Sequence, residues 1–312
     1  MENYKIERLT PENIQDILPI FSNSFGKNMD VNYLKKRYDT SMFGYSYIAY
    51  IAYTSEGVAA SFFGVLPCYI RFGDKLIYAA QSVDGMTLPE HQGKGLFVAL
   101  IKRTFQHAES VGVKIGFGFP NLNSLPSFVR KLDWTNKDNL LVYLIRVPCL
   151  PILRLSKVLP SLENWQVQRM SYLLSKLQVG KPFRNSVLVP GCAGVEHSTE
   201  FYSYKQSNSN YLVQVLGISV WLKASDMFLI IGDVEQCSHK TLTKVLRRLK
   251  MLCFQSGIPY LRFHCNPGAY WEDYFKTHGQ LYDTSYAIIR HDLGSGEDVD
   301  SIKFTASDND TF

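Results

Sequence analysis

The sequence contains no apolar run approaching the roughly 20 residues that a membrane helix needs. Its best stretch, Ser46 to Leu66, is interrupted by Ser55, Glu56 and Gly57. The opening residues, Met1-Glu2-Asn3-Tyr4-Lys5, lack the basic-then-apolar order of a secretory leader. Cysteine is sparse: the six residues Cys68, Cys149, Cys192, Cys237, Cys253 and Cys265 form no C-x-x-C pair. Neither a metal site nor a disulfide framework is therefore expected. Together these absences predict a soluble cytoplasmic protein without a transmembrane segment. The net charge of +5 is modest, and no reading motif accompanies it, so nucleic acid is not an expected partner. The charge is uneven, however. Residues 146–184 carry 7 Lys and Arg against 1 acid, compared with 15 against 13 before them and 11 against 14 after. An anionic surface is the partner such a segment could contact.

What is present is core-forming material, 46% hydrophobic over 312 residues, enough for two domains. Tyr4 to Leu9 predicts a strand, and Thr10-Pro11-Glu12 predicts the start of a helix carrying Ile14, Ile17, Leu18 and Phe21 on one face. Val31 to Tyr38 predicts a second helix. Turn signals at Ser55-Glu56-Gly57 and Gly73-Asp74-Lys75 divide residues 46–88 into an antiparallel meander. After it come a helix with Phe97, Leu100, Ile101, Phe105 and Ala108 on one face, a strand Lys114 to Phe119, a helix Asn123 to Leu132, and a strand Leu140 to Val147 closing this half. The expected domains are 1–147, a basic helical connector 148–190, and 191–312. The last region repeats the coarse order of the first: strands Leu212 to Leu222 and Met227 to Gly232, helix Thr241 to Gln255, strand Tyr260 to His264, a short helix from Trp271, and strand Ser285 to Arg290.

Chemistry concentrates in Gln92-Gly93-Lys94-Gly95-Leu96-Phe97, a glycine turn between a strand and a helix N-terminus. Backbone N–H groups there converge with the helix dipole and favour a phosphate or pyrophosphate. The glycines let a ligand approach the main chain, and Lys94 adds a cation. Two better-known nucleotide loops are excluded, because no G-x-x-x-x-G-K-[ST] occurs and position 98 is Val where G-x-G-x-x-G requires glycine.

In its setting, Met86-Thr87-Leu88-Pro89-Glu90-His91-Gln92-Gly93-Lys94-Gly95-Leu96 resembles the acyl-CoA-binding motif of the GNAT superfamily, V-x-P-x-x-[RQ]-x-x-G-x-[GA]. Thr87 stands in the Val slot, Pro89, Gln92 and Gly95 match, and Phe97 replaces the final small residue. Phe119-Pro120-Asn121 followed by Phe128 to Trp134 resembles the second motif of the superfamily. The resemblance implies an α/β (α+β) fold, a mixed and largely antiparallel sheet flanked by helices, with a second, degenerate GNAT-like domain after it. It also implies acetyl-CoA as acyl donor, held by Gly85, Met86 and Thr87 at the splayed strand end and by Gln92, Gly93, Lys94, Gly95, Leu96, Phe97 and Val98 at the pyrophosphate, with Asn121 and Asn123 alongside. Phe97 should turn into the core.

The implied activity is acetyl transfer to a primary amine of a small molecule such as an amino sugar. Asp84, just before the motif, is the nearest carboxylate and the candidate base or substrate anchor. The tyrosine acid of the superfamily would fall at Val129, so the thiolate leaves unassisted or Tyr143 serves. That substitution also leaves open a non-catalytic acyl-CoA-binding module, and the tandem halves leave open an aminoacyl transferase. In tandem GNAT enzymes that acetylate aminoglycosides the C-terminal carboxylate is the base, which by resemblance nominates Phe312. No donor is expected in the second half, where the stretch after Gly232 has no second glycine and Asp233 and Glu235 would repel a pyrophosphate.

Overall fold

A computed structural model describes residues 4–26, 29–149, 152, 165–206, 210–225, 227–282 and 285–312. Two compact units emerge: the first holds residues 1–70, 75–137 and 287–300, the second 71–74, 138–286 and 301–312. The arrangement is mixed α/β, with antiparallel-dominated sheets flanked by helices. Among the described residues no helix is long and apolar enough to cross a membrane. Part of the basic connector, including Arg154, Lys157 and Glu163, lies outside the described residues.

In the first unit the strands β1 (Tyr4–Arg8), β2 (Ala49–Thr54), β3 (Ala59–Phe72), β4 (Lys75–Thr87) and β5 (Ile115–Gly118) lie side by side in that order. Helices α1 (Leu18–Phe25) and α2 (Val31–Tyr38) join β1 to β2. The first helix starts later than Thr10-Pro11-Glu12 suggests: a 3-10 turn covers Ile14–Ile17, and α1 begins at Leu18 with Pro19 in its first turn. Proline has no N–H and crowds the carbonyl four residues back, so a continuous helix through that point is disfavoured. Helix α3 (Leu96–Ser110) follows β4, and α4 (Leu125–Lys131) follows β5. Leu96, Leu100, Ile101, Phe105 and Ala108 of α3 are buried in one core with Phe63, Ala80 and Trp134. Burial of each large apolar side chain is worth roughly 1.5–3 kcal/mol.

The strand expected to close this half does something else. β6 (Asn139–Arg146) pairs antiparallel with β11 (Tyr260–Cys265) of the second unit, Val142 facing His264. The other strands of that unit are β7 (Gly194–Val195), β8 (Asn210–Val215), β9 (Ile218–Ala224), β10 (Phe228–Val234), β12 (Gln280–Leu281) and β13 (Tyr286–Ala287). Its sheet runs β12-β6-β11-β10-β9-β8. Leu212 to Leu222 is two strands, not one, because Leu216 and Gly217 both take positive φ (54° and 81°) and make a tight hairpin turn. The helices of this unit are α5 (Trp165–Ser175), α6 (Thr199–Lys205), α7 (His239–Ser256) and α8 (Glu272–His278). In return, β14 (Ile289–Asp292) leaves the second half of the chain and pairs antiparallel with β5, Arg290 facing Phe117. Each half has thus given its closing strand to the sheet of the other. The inward faces of β5 and β11 would otherwise end at an unpaired edge, and sheet partners are set by which edge is open, not by chain proximity.

Candidate active site

The site grows from how β4 ends. Parallel pairing with β5 runs from Ala79↔Ile115 to Ser82↔Gly118 and stops, while β4 continues to Thr87. Asp84, just past the last pair, has φ +52°, a bulge conformation that turns the strand away from its neighbour. A gap therefore opens between the two strands beside Gly85, Met86 and Thr87. The far side of this strand end is fastened to β3: the Ser61 hydroxyl donates to the Met86 carbonyl at 2.9 Å and meets the Thr87 hydroxyl at 2.7 Å. Phe97 turns its ring inward onto Gly85, where an added Cβ would come within 2.5 Å of it. It meets Phe63 and Phe128 edge to face at 6.0 and 5.9 Å.

Beyond Thr87 the chain makes a short 3-10 turn, Pro89–His91, and enters the glycine loop. Gly93 and Gly95 have φ +75° and +79°, and nothing lies within 4 Å of where their Cβ atoms would be. Both glycines are thus required by backbone conformation and leave the loop surface open. Gly95 caps α3 without any side-chain bond. The first-turn N–H groups of Leu96, Phe97 and Val98 have no intrahelical acceptor by helix geometry and so point at the loop. The side chains of the loop are less available than its main chain. Gln92 donates to the Thr87 carbonyl at 3.1 Å, bracing the turn. Lys94 reaches the Tyr4 hydroxyl at 3.1 Å, and that hydroxyl also bonds His91 Nδ1 at 2.8 Å.

Asn121 lies at the end of β5, where its Oδ1 accepts the N–H groups of Asn123 and Ser124, both at 3.0 Å, and caps the turn into α4. Val129 is 38% exposed on α4. Tyr143 lies on β6 in the second unit, not in the sheet of the glycine loop. Its hydroxyl donates to Glu272 at 3.3 Å, and burial, with Glu272, pushes its pKa up. Phe312 is also in the second unit, its ring buried against Gly232 and edge-on to Trp221 at 5.4 Å.

Two residues near the strand gap escaped the sequence reading. The Arg37 guanidinium grips Asp84 through Nε (2.7 Å) and Nη2 (3.1 Å), and the Tyr38 hydroxyl donates to the same carboxylate at 2.6 Å. Both ion-pair side chains are about nine-tenths buried, 8% and 9% exposed. Nothing in the sequence pairs residues 47 positions apart, although the basic last turn of α2, Lys35-Lys36-Arg37, was a visible signal.

A strand gap beside a glycine loop and an open helix N-terminus can receive an extended ligand that carries a phosphate group. Residues 5–136 match the family model described as an acetyltransferase (GNAT) domain. Solved structures align over most of the chain. A GCN5-related N-acetyltransferase from Kribbella flavida does so at 11% identity over 93% of this chain and 71% of that one, TM-score 0.58. A putative acetyltransferase from Pyrococcus horikoshii matches at 12% over 96% and 93%, TM-score 0.55. A probable N-acyltransferase from Enterococcus faecalis matches at 11% over 93% and 72%, TM-score 0.58. No curated protein matches. The fold is that of the acyltransferases. Residues 5–136 are thus similar to a GNAT acetyltransferase domain, and the chain shares the fold of these structures.

Proposed function

We propose that this protein is an acetyl-CoA-dependent N-acetyltransferase acting on a primary amine of a small molecule, an amino sugar or a similar compound. The observation that carries the reading is the parting of β4 from β5 after Ser82↔Gly118, directly before a loop whose two glycines have positive φ. The pantetheine arm would lie along Gly85, Met86 and Thr87, accepting and donating main-chain bonds as a strand would. The pyrophosphate would rest on the N–H groups from Gly93 to Val98, where the helix dipole adds to them. Main-chain N–H of the strand end would also face the oxyanion as the amine adds to the thioester carbonyl.

Asp84 accepts three hydrogen bonds, which occupy three of its roughly four lone-pair positions. A carboxylate so held is fixed in place, and its remaining position would orient the acceptor ammonium. Proton removal would then fall to water. With Val129 in the acid slot, the thiolate would leave unassisted. The same valine favours a second reading, a non-catalytic acyl-CoA-binding module.

Isothermal titration with acetyl-CoA, followed by a thiol-release assay across amino sugars and simple primary amines, tests both. Gly95→Glu places bulk and negative charge on the loop, strains its positive-φ backbone, and is expected to abolish acetyl-CoA binding. Unchanged affinity in that variant would remove the site assignment. Binding without turnover on any amine would select the binding module.

A further inference from the structure

The second unit repeats the strand gap of the first. β10 and β11 pair in parallel from Phe228↔Tyr260 to Ile231↔Phe263, and β10 has a register irregularity between Ile231 and Asp233. Here the gap is filled by the last residues of the chain. Cys265 pairs with Leu141 of β6 on one side, so its antiparallel bridge to Thr305 lies on the other side, towards β10. Phe304 N–H donates to Asn266 Oδ1 at 2.7 Å, and Asn266 N–H donates to the Phe304 carbonyl at 3.3 Å. At the far end the Phe312 ring lies on Gly232 of β10, and an added Cβ there would collide with it. Ile302, Phe304, Thr305, Ser307, Asp308 and Phe312 are all at most 3% exposed.

Polar groups fix the segment as closely as apolar ones. Asp308 Oδ1 is bonded by His197 Nε2 at 2.9 Å and by Asn185 Nδ2 at 3.1 Å. The other ring nitrogen of His197 is 3.8 Å from Asp233, which also accepts from the Ser186 N–H at 2.9 Å and hydroxyl at 2.5 Å. Lys205 donates to the Asn309 carbonyl, and Lys223 to that of Thr311 at 2.5 Å. A buried carboxylate, two backbone carbonyls and a terminal aromatic ring are each met by a group of the right chemistry. This is how a binding cleft reads an extended peptide.

We infer that the second unit is a peptide-binding cleft whose resident ligand is residues 301–312 of the same chain, seated in the counterpart of the gap that the acyl donor is proposed to enter in the first unit. The comparison with the donor rests on the proposed function; the cleft itself does not. The ligand class is an extended peptide with Asp four residues before an aromatic residue. Because the tail fills the second gap, one chain takes one acyl donor.

Hydrogen exchange on the full chain, combined with a fluorescein-labelled synthetic peptide of residues 301–312, tests the inference. In the wild type the N–H groups of Lys303, Phe304 and Asp308 are expected to exchange at least about 100-fold slower than in the free peptide. In full-length Asp308→Ala/Phe312→Ala they are expected to exchange faster by about tenfold or more. That variant should raise the anisotropy of the labelled peptide, while the wild type, whose own tail competes at high effective concentration, should not. Should the double variant fail to fold, Asp308→Asn gives the same comparison with a smaller change. Tail amides exchanging at free-peptide rates in the wild type would overturn the inference, as would wild-type protection in the variants. Acetyl-CoA should titrate to one equivalent in the wild type, and two equivalents would also overturn it. No acetyl-CoA binding at all would instead sink the proposed function and leave the exchange result to support the cleft.

Discussion

Asp84 carries a positive φ within a strand, and its carboxylate is held by Arg37 and Tyr38. A carboxylate fixed in this way can orient an ammonium. Asp84→Asn is therefore expected to raise KM for the amine about tenfold or more while changing kcat less, with acetyl-CoA affinity retained. A fall in kcat alone, with KM and acetyl-CoA affinity unchanged, would make Asp84 the base. His264 offers a test at a distance from this chemistry. It is buried on β11 and stacked on Tyr286 at 5.3 Å. Burial, with Arg262 nearby, lowers its pKa to about 3. The folded state thus binds fewer protons than the unfolded one, whose histidine titrates near 6.5. Stability contributed by the neutral ring is complete above that value and is lost as pH falls from about 6.5 towards 3, on the order of 3 kcal/mol by pH 4. Urea midpoints at pH 7 and pH 4.5 should converge in His264→Gln relative to the wild type. Equal acid losses in both proteins would show that His264 does not supply this linkage.

The β8–β9 hairpin shows what one element demands of its turn. Gly217 adopts φ +81° freely, but Leu216 at φ +54° places a branched side chain in the left-handed region, 65% exposed and without packing in return. Asn tolerates that conformation better, and Asn-Gly is the preferred pair for a two-residue hairpin. Leu216→Asn should stabilise the protein by about 0.5–1 kcal/mol, read as a higher midpoint in thermal unfolding with wild-type activity. The same pair explains why a single strand from Leu212 to Leu222 looked right from sequence. Leu216 continues the apolar run, and its backbone conformation leaves no trace in residue type. Pro19 in the first turn of α1 is the opposite case, since proline announces its own constraint.

At the scale of the molecule, β6 and β14 each serve the sheet of the other half. A fragment of residues 1–147 would keep β6 without its partner β11 and would lack β14, leaving the outer edge of β5 unpaired. Exposed edges of this kind template aggregation. The fragment is expected to aggregate or to unfold at lower urea than the full chain. A chain joining residues 287–300 to 1–137 by a flexible linker should recover a cooperative transition, and a stable, monomeric 1–147 would show that β14 is dispensable.

The glycine loop was legible in the sequence because its geometry is local. A strand end, two glycines with positive φ and a helix N-terminus occupy one continuous stretch, Met86 to Val98, and residue type reports directly on such backbone demands. The inward turn of Phe97 was legible for a related reason, since its helical spacing places it with Leu100 and Ile101. Arg37 and Tyr38 at Asp84, the exchange of closing strands and the burial of residues 301–312 between β10 and β11 were not. Each depends on which groups meet across about 40 to 180 positions of sequence, where many pairings satisfy the same alternation of apolar and polar side chains. Sequence alone therefore determined the local conformations that make the glycine turn at a helix N-terminus, and tertiary structure decided which edges, charges and chain segments were left for one another, because those partners are selected by competition for burial over the whole molecule.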